Sequence, residues 1–234
     1  MDKPPGLLVH RTGLDAGETR FALQMLRDQL GRPVWPVHRL DKGTSGVLLF
    51  ALDADTASAL GRRFELGEGL TKTYQAMVRG WPAPEGTVDH PLRRLDEDAR
   101  AGRQESQAAL TRWRRLEIFD LPLVQGRFAT TRCALLELRP ETGRRHQLRR
   151  HMKHIAHPIL GDATHGKGPL NRAVAAHLGR QRLWLHATAL DLGHPVDGRP
   201  LRITAAPGPE WLVWSTHAAD DPADAAPRSG SLNP

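Results

Sequence analysis

A mixed α+β domain is the fold class the sequence predicts, because two patterns coexist along it. Runs that are apolar throughout, or that alternate with period two, stand at 47–52, 72–80, 131–139 and 182–192 and read as strands. Stripes at helical spacing stand between them, at 19–30, 54–64 and 147–155. With 234 residues, 39% of them hydrophobic, the chain can bury one core or two small ones.

Composition narrows the partners. The net charge is +7 and 33 residues are Lys or Arg, a balance that favours polyanions through phosphate contacts. The charge is also local: 142–161 holds no acid but contains Arg144, Arg145, Arg149, Arg150 and Lys153. A lone Cys133 excludes an internal disulfide and a cysteine zinc cage, which suits a reducing compartment. No run approaches the roughly 20 apolar residues needed to span a bilayer, and the N-terminus lacks a signal-peptide layout, so a cytoplasmic protein is expected.

Taken in order, 3–12 reads as a turn feeding a short strand. Residues 19–30 place Phe21, Met25, Leu26 and Leu30 at helical spacing, closed by Gly31, and are most simply core. The string from His38 to Gly46 then leads into an apolar run, 47–52, that reads as one buried strand. This puts Asp41 in a loop at the mouth of a core strand, with Arg39 and Lys42 beside it. Asp before Gly is a common turn former; a nine-residue string mixing His, Arg, Asp, Lys, Thr and Ser is more than a turn requires. Asp53 can cap a helix over 54–64, with Ala57, Leu60 and Phe64 on one face.

The strand expected at 72–80 places Lys72, Tyr74, Ala76 and Val78 on one face. Residues 82–107, rich in Pro, Gly and charge, read as an insertion around a short strand at 87–92, with 93–106 mobile or gripping RNA. An exposed strand is expected at 109–119, carrying Arg112, Arg114 and Arg115, and another strand at 131–139. In the helix beginning near Gln147, the stripe Leu148, Met152, Ile155 faces the core and Arg145, His146, Arg149 and Lys153 form the adjacent arc. Arg149 lies at the stripe's edge, where a guanidinium can be half buried and still reach a carboxylate. Histidines 146, 151, 154 and 157 spread around the helix with no carboxylate nearby, so no metal is expected. A helix at 171–178 and strands from 182 to 192 and 201 to 205 follow, and from 216 to 234 the composition favours a disordered tail.

Three motifs, in order, resemble the RluA-type pseudouridine synthases. His38 to Gly46 matches HRLDxxTSG, Lys72 to Gly80 matches the K-x-Y-x-A-x-V-x-G strand, and Thr142 to His151 matches TGRxHQLRxH. The segment from Lys3 to His10 is similar to KPxGxxVH, yet it begins almost at Met1 where relatives carry more chain upstream; either the start is placed late or an edge strand is missing. Within the family, His165, Asn171-Arg172 and the run from Gln181 to Ala187 resemble the branch acting at tRNA position 65.

The resemblance implies a pseudouridine synthase fold over 1–215, a central, mostly antiparallel sheet with flanking helices and an RNA-binding cleft, without a separate RNA-binding appendage. It implies isomerisation of uridine with no cofactor, carried out by a monomer. Asp41 is the implied nucleophile, at C1′ or C6, or the carboxylate stabilising a cationic sugar. Arg149 is the implied partner that keeps it ionised, with Arg144 as rival. Tyr74 packs on the uracil and helps remove the C5 proton, and Arg39 fills the place of the flipped nucleotide. Lys42, Arg144, Arg145, His146, Gln147, Arg150 and Lys153 are the expected RNA contacts. The rival substrates are a 23S rRNA loop or another tRNA position; a rival class is an RNA-binding protein without catalysis.

Overall fold

A computed structural model describes residues 1–11, 17–94 and 106–220. In chain order the elements are β1 (Asp2–Lys3), α1 (Ala22–Leu30), β2 (Trp35–Pro36), β3 (Ser45–Val47), β4 (Phe50–Ala51), α2 (Ala54–Leu66), β5 (Leu70–Arg79) and β6 (Glu85–Asp89). There follow β7 (Leu92–Arg93), β8 (Ser106–Gln107), β9 (Leu110–Leu121), β10 (Thr131–Pro140), α3 (Gln147–His154), α4 (Gly168–Leu178), β11 (Leu185–Gly193), β12 (Pro200–Thr204) and a 3-10 helix at Pro209–His217. The main sheet runs β1-β3-β11-β5-β10-β9-β6, with β12 also paired to β11. Among the described strands only β3 and β11 pair in parallel, so the sheet is mixed and mostly antiparallel, as expected.

Both faces of the central strands are covered, which is why they read as nearly continuous apolar runs. Ala76 and Val78 of β5 and Ala134, Leu136 and Leu138 of β10 face Leu148 and Met152 of α3. On the opposite face Met77 and Cys133 meet Leu170, Val174 and Leu178 of α4 with Trp184 and Trp214. Period two therefore sends Lys72 and Tyr74 to the α3 side, where the cavity lies. Helix α2 begins as expected, with the Asp53 carboxylate accepting from Thr56 N at 2.7 Å.

Several expectations change. The apolar run 47–52 is two strands: Leu48 N donates to Met1 O and Leu49 N to His38 Nε2, after which Phe50–Ala51 pairs with Trp35–Pro36 in a separate ribbon. A run apolar on both faces can be buried against different partners at its two ends, and period alone does not say where it breaks. The N-terminal strand lies at Asp2–Lys3, ahead of the turn, while Leu8 makes a single bridge to Phe21. Leu30, expected in the core, is 46% exposed. Strand β9 is flanked on both sides, by β10 and β6, and buries Ile118 and Phe119. Of the stretch expected to be mobile or RNA-gripping, 95–105 lies outside the described residues, as does 221–234 of the expected tail. The tail boundary also shifts, since Ala218 bridges Phe119 and Ala219 N donates to Ile118 O.

The parallel contact depends on Gly46. Its φ is +105°, and a Cβ there would sit 2.1 Å from Ala187 O. Gly46→Ala is expected to force β3 from β11, at a cost of about 1–3 kcal/mol or more, read as a lowered Tm together with lost activity because β3 carries the Asp41 loop. A variant melting within a degree of the parent would show that the backbone yields.

Candidate active site

A cavity of about 470 Å³ opens between the loop carrying Asp41, the α3-facing side of β5, and the segment that enters α3. Asp41, Tyr74 and Arg149 all line it. The Asp41 loop is held from beneath. Its carbonyl accepts from Thr44 N at 3.0 Å, and the next carbonyl, that of Lys42, accepts from Gly6 N at 2.8 Å and from the Lys3 ammonium at 3.2 Å. Lys3 is fully buried and also donates to Pro4 O and Leu7 O. Burial pushes its pKa down to about 8, with the Asp41 charge opposing that fall. Beyond the loop, His186 Nε2 donates to Ala205 O at 3.0 Å, which leaves Nδ1 to accept from Ser45 Oγ at 2.8 Å. Arg182, paired with Glu210, donates to the same Ser45 Oγ.

Arg149 is divided between two carboxylates. Its Nε and Nη2 each donate to Asp162 at 2.8 Å, and Nη1 donates to Asp41 Oδ2 at 3.0 Å. The bidentate grip fixes the plane of the guanidinium, so the remaining nitrogen is aimed at Asp41. Asp162 is buried and also accepts from the backbone N–H groups of Thr164 and His165, each at 2.9 Å. Burial alone would raise its pKa, but the bonds to Arg149 and to the turn outweigh this and hold the carboxyl below its usual range. Asn171 pins the turn by donating to Asp162 O and accepting from Gly161 N.

His146 completes the floor. Its Nε2 lies 3.8 Å from Asp41 Oδ1 and its Nδ1 3.1 Å from His165 Nε2. Burial lowers the pKa of both rings, which favours the neutral imidazoles, a form in which one ring nitrogen can donate to the other. Tyr74 forms a wall, and burial followed by the nearby Asp41 charge raises its phenol pKa. At neutral pH Tyr74 offers a ring and an O–H, not a phenolate base, which narrows the expected help with the C5 proton.

The expected RNA contacts separate. Arg39, Arg144, Arg145 and His146 line the cavity, Arg39 and Arg145 being exposed. Lys42 is exposed but engaged by Glu18. Lys153 is exposed on α3, and Arg150 turns aside to donate to Arg93 O at 2.9 Å. Gln147 is a correction. It is buried, donates to Leu110 O and Thr111 Oγ1, and accepts from Thr142 Oγ1 and Arg144 N, so no part of its amide remains for RNA. The other histidines are occupied singly: His151 between Thr111 and His90 O, His154 stacked on His90, and His157 on Arg79 O. Among the described residues no three His, Cys, Asp or Glu side chains gather as a metal cage. Sequence reasoning gave no role to Asp162 or Lys72. The signal for Asp162 was a lone acid after Gly161, whose cation lies 13 residues upstream on another element.

Residues 1–154 match the family model described as RNA pseudouridylate synthase. The chain belongs to the RNA pseudouridylate synthase family. Over 215 residues it is 49% identical to a tRNA pseudouridine synthase C of Vibrio cholerae, covering 90% of this chain and 88% of that one. It is 48% identical to the protein of that name from Yersinia pestis, covering 90% and 83%. Among solved structures it resembles human RNA pseudouridylate synthase domain containing 4, with a TM-score of 0.67, 27% identity, and coverage of 92% of this chain and 87% of that one. A pseudouridine synthase is an isomerase: the bond between uracil N1 and sugar C1′ breaks and the same sugar is rejoined through uracil C5. Its substrate is RNA, which accords with a cavity rimmed by arginine. Among the described residues no helix is long and apolar enough to cross a membrane.

Proposed function

We propose that this synthase converts one uridine of tRNA, at position 65, to pseudouridine, with Asp41 as the carboxylate that meets the sugar or base. The observation that carries this reading is the placement of Asp41 in a basic cavity, within hydrogen-bond reach of an arginine whose other two nitrogens are bound to Asp162. A uridine stacked in a helix cannot enter such a cavity, so it is extruded at a cost of a few kcal/mol. Arg39, exposed at the rim, takes the vacated place in the stack. Asp41 bonds to C1′ or C6, the N-glycosidic bond breaks, the uracil turns against Tyr74 and C5 bonds to C1′; the bond to Asp41 then breaks, the C5 proton leaves and N1 takes up a proton, so the carboxylate is regenerated. Atoms are conserved, and neither oxidation nor phosphoryl transfer takes place, so the chemistry asks for no cofactor or metal. We read the enzyme as a cytoplasmic monomer whose catalytic domain runs from residue 1 to the 3-10 helix; its lone cysteine, buried Cys133 with a thiol pushed up to about 12, suits a reducing compartment.

The test is incubation with an unmodified tRNA transcript labelled at uridine C5 with tritium. One equivalent of tritium released per tRNA, with the new base mapped to position 65, is the expected result. Release mapped to another uridine would move the target and keep the chemistry. A transcript, and a 23S rRNA fragment set, that lose no tritium would defeat the reading.

A further inference from the structure

Lys72 stands two residues before Tyr74 on the α3-facing side of β5 and lines the same cavity. Two residues along a strand span roughly 6.6–6.8 Å, about the reach from a uracil ring to the phosphate of its own nucleotide. Among the described residues, three other cations drawn out of water are neutralised or saturated: Arg149 by two aspartates, Arg182 by Glu210, Lys3 by three carbonyls. Lys72 differs from these three. Among the described residues its Nζ has one acceptor, Thr142 O at 3.1 Å, and no carboxylate within 4 Å, although an ammonium carries three donors. Another cation, Arg144, lines the same cavity, and burial first, then Arg144, lowers the Lys72 pKa to about 8. Besides Asp41, the acid that lines the cavity is Glu65, and no ion pair joins it to Lys72. A partly buried cation without a counter-ion is costly unless an anion completes it.

We propose that Lys72, together with Arg144, is the subsite for the phosphate flanking the flipped uridine. The proposal rests on the functional reading above, since RNA supplies the anion. Lysine suits the task as a point charge that needs no bidentate geometry. Gly143 keeps the approach open: a Cβ there would lie 3.7 Å from Lys72 Nζ, and a longer side chain would stand over the ammonium. Tyr74 then marks the uracil end of one nucleotide and Lys72 its phosphate end, which fixes the orientation in which the base is presented to Asp41.

The test is a chemical double-mutant cycle. Ligated tRNAs carry either natural linkages or a neutral methylphosphonate on the 5′ or the 3′ side of the target uridine, and Kd is measured for the parent and for Lys72→Met. Lys72→Met should bind natural tRNA about tenfold more weakly, the scale of a charge-assisted hydrogen bond. Its log Kd against log salt should be shallower by about 0.7–0.9. One methylphosphonate should weaken the parent by the same factor and Lys72→Met no further, while Lys72→Arg keeps most of the affinity. Multiplying losses, or a parent indifferent to both neutral linkages, would overturn the subsite. The parent measurement stands even if Lys72→Met folds poorly. A parent that isomerises no uridine defeats the functional reading; one that isomerises normally yet ignores both linkages defeats the subsite alone.

Discussion

Asp41→Asn should abolish pseudouridine formation while leaving tRNA affinity within a few-fold. The substitution keeps the shape of the side chain and removes its charge and nucleophilicity. Loss of a covalent nucleophile is felt on the order of 10⁴-fold or more in turnover. Binding should survive because Asp41 is one acid in a cavity rimmed by Arg39, Arg144 and Arg145, and removing a negative charge there does not oppose a polyanion. The fold should survive as well, since Arg149 keeps both bonds to Asp162. Tritium release and a fluorescence-based Kd measure the two quantities separately. A variant that still turns over would remove Asp41 from the chemistry, and one that loses binding and turnover in equal measure would make it a docking residue.

How far the site was legible in the sequence follows from what each kind of signal encodes. Asp41 and Arg149 are 108 residues apart and meet at 3.0 Å, and no periodicity could have joined them; the motifs did. Period two correctly put Lys72 beside Tyr74 on one face of β5, but exposure and counter-ions are tertiary properties, so the missing partner of Lys72 became visible only in the fold. The Gln147 error has the same origin. A polar residue on a basic helix reads as a contact, whereas here Thr142, Arg144, Leu110 and Thr111 converge on one buried amide that shapes the loop into α3. Helix α2 was legible almost to the residue because its Asp53 cap is a local device. The run 47–52 was not, because its halves pair with two different segments, β1 and β2.

Asp162→Asn should be among the most damaging substitutions to stability at this site, although its carboxylate meets the reactants only through Arg149. Removing one partner of a buried pair costs about 3–5 kcal/mol, and here it leaves Asp41 alone to balance Arg149. Arg149 is 10% exposed in its side chain and Asp162 fully enclosed, so water cannot replace the lost carboxylate. For a chain of this length each kcal/mol moves Tm by about 2–4 °C, giving an expected fall of roughly 6–20 °C. The pH dependence identifies the cause. The folded carboxyl is held below its usual range, so its contribution is complete above the unfolded aspartate value of about 3.9 and disappears as pH falls through the folded value. Urea midpoints of parent and variant should therefore differ by a constant amount from pH 7 to about pH 5 and converge in stronger acid. A difference that closed as pH rose would place the cause elsewhere. With Arg149 no longer held in plane, kcat should fall while KM changes little, because what is lost is the aim of one N–H at Asp41 and not the grip on RNA.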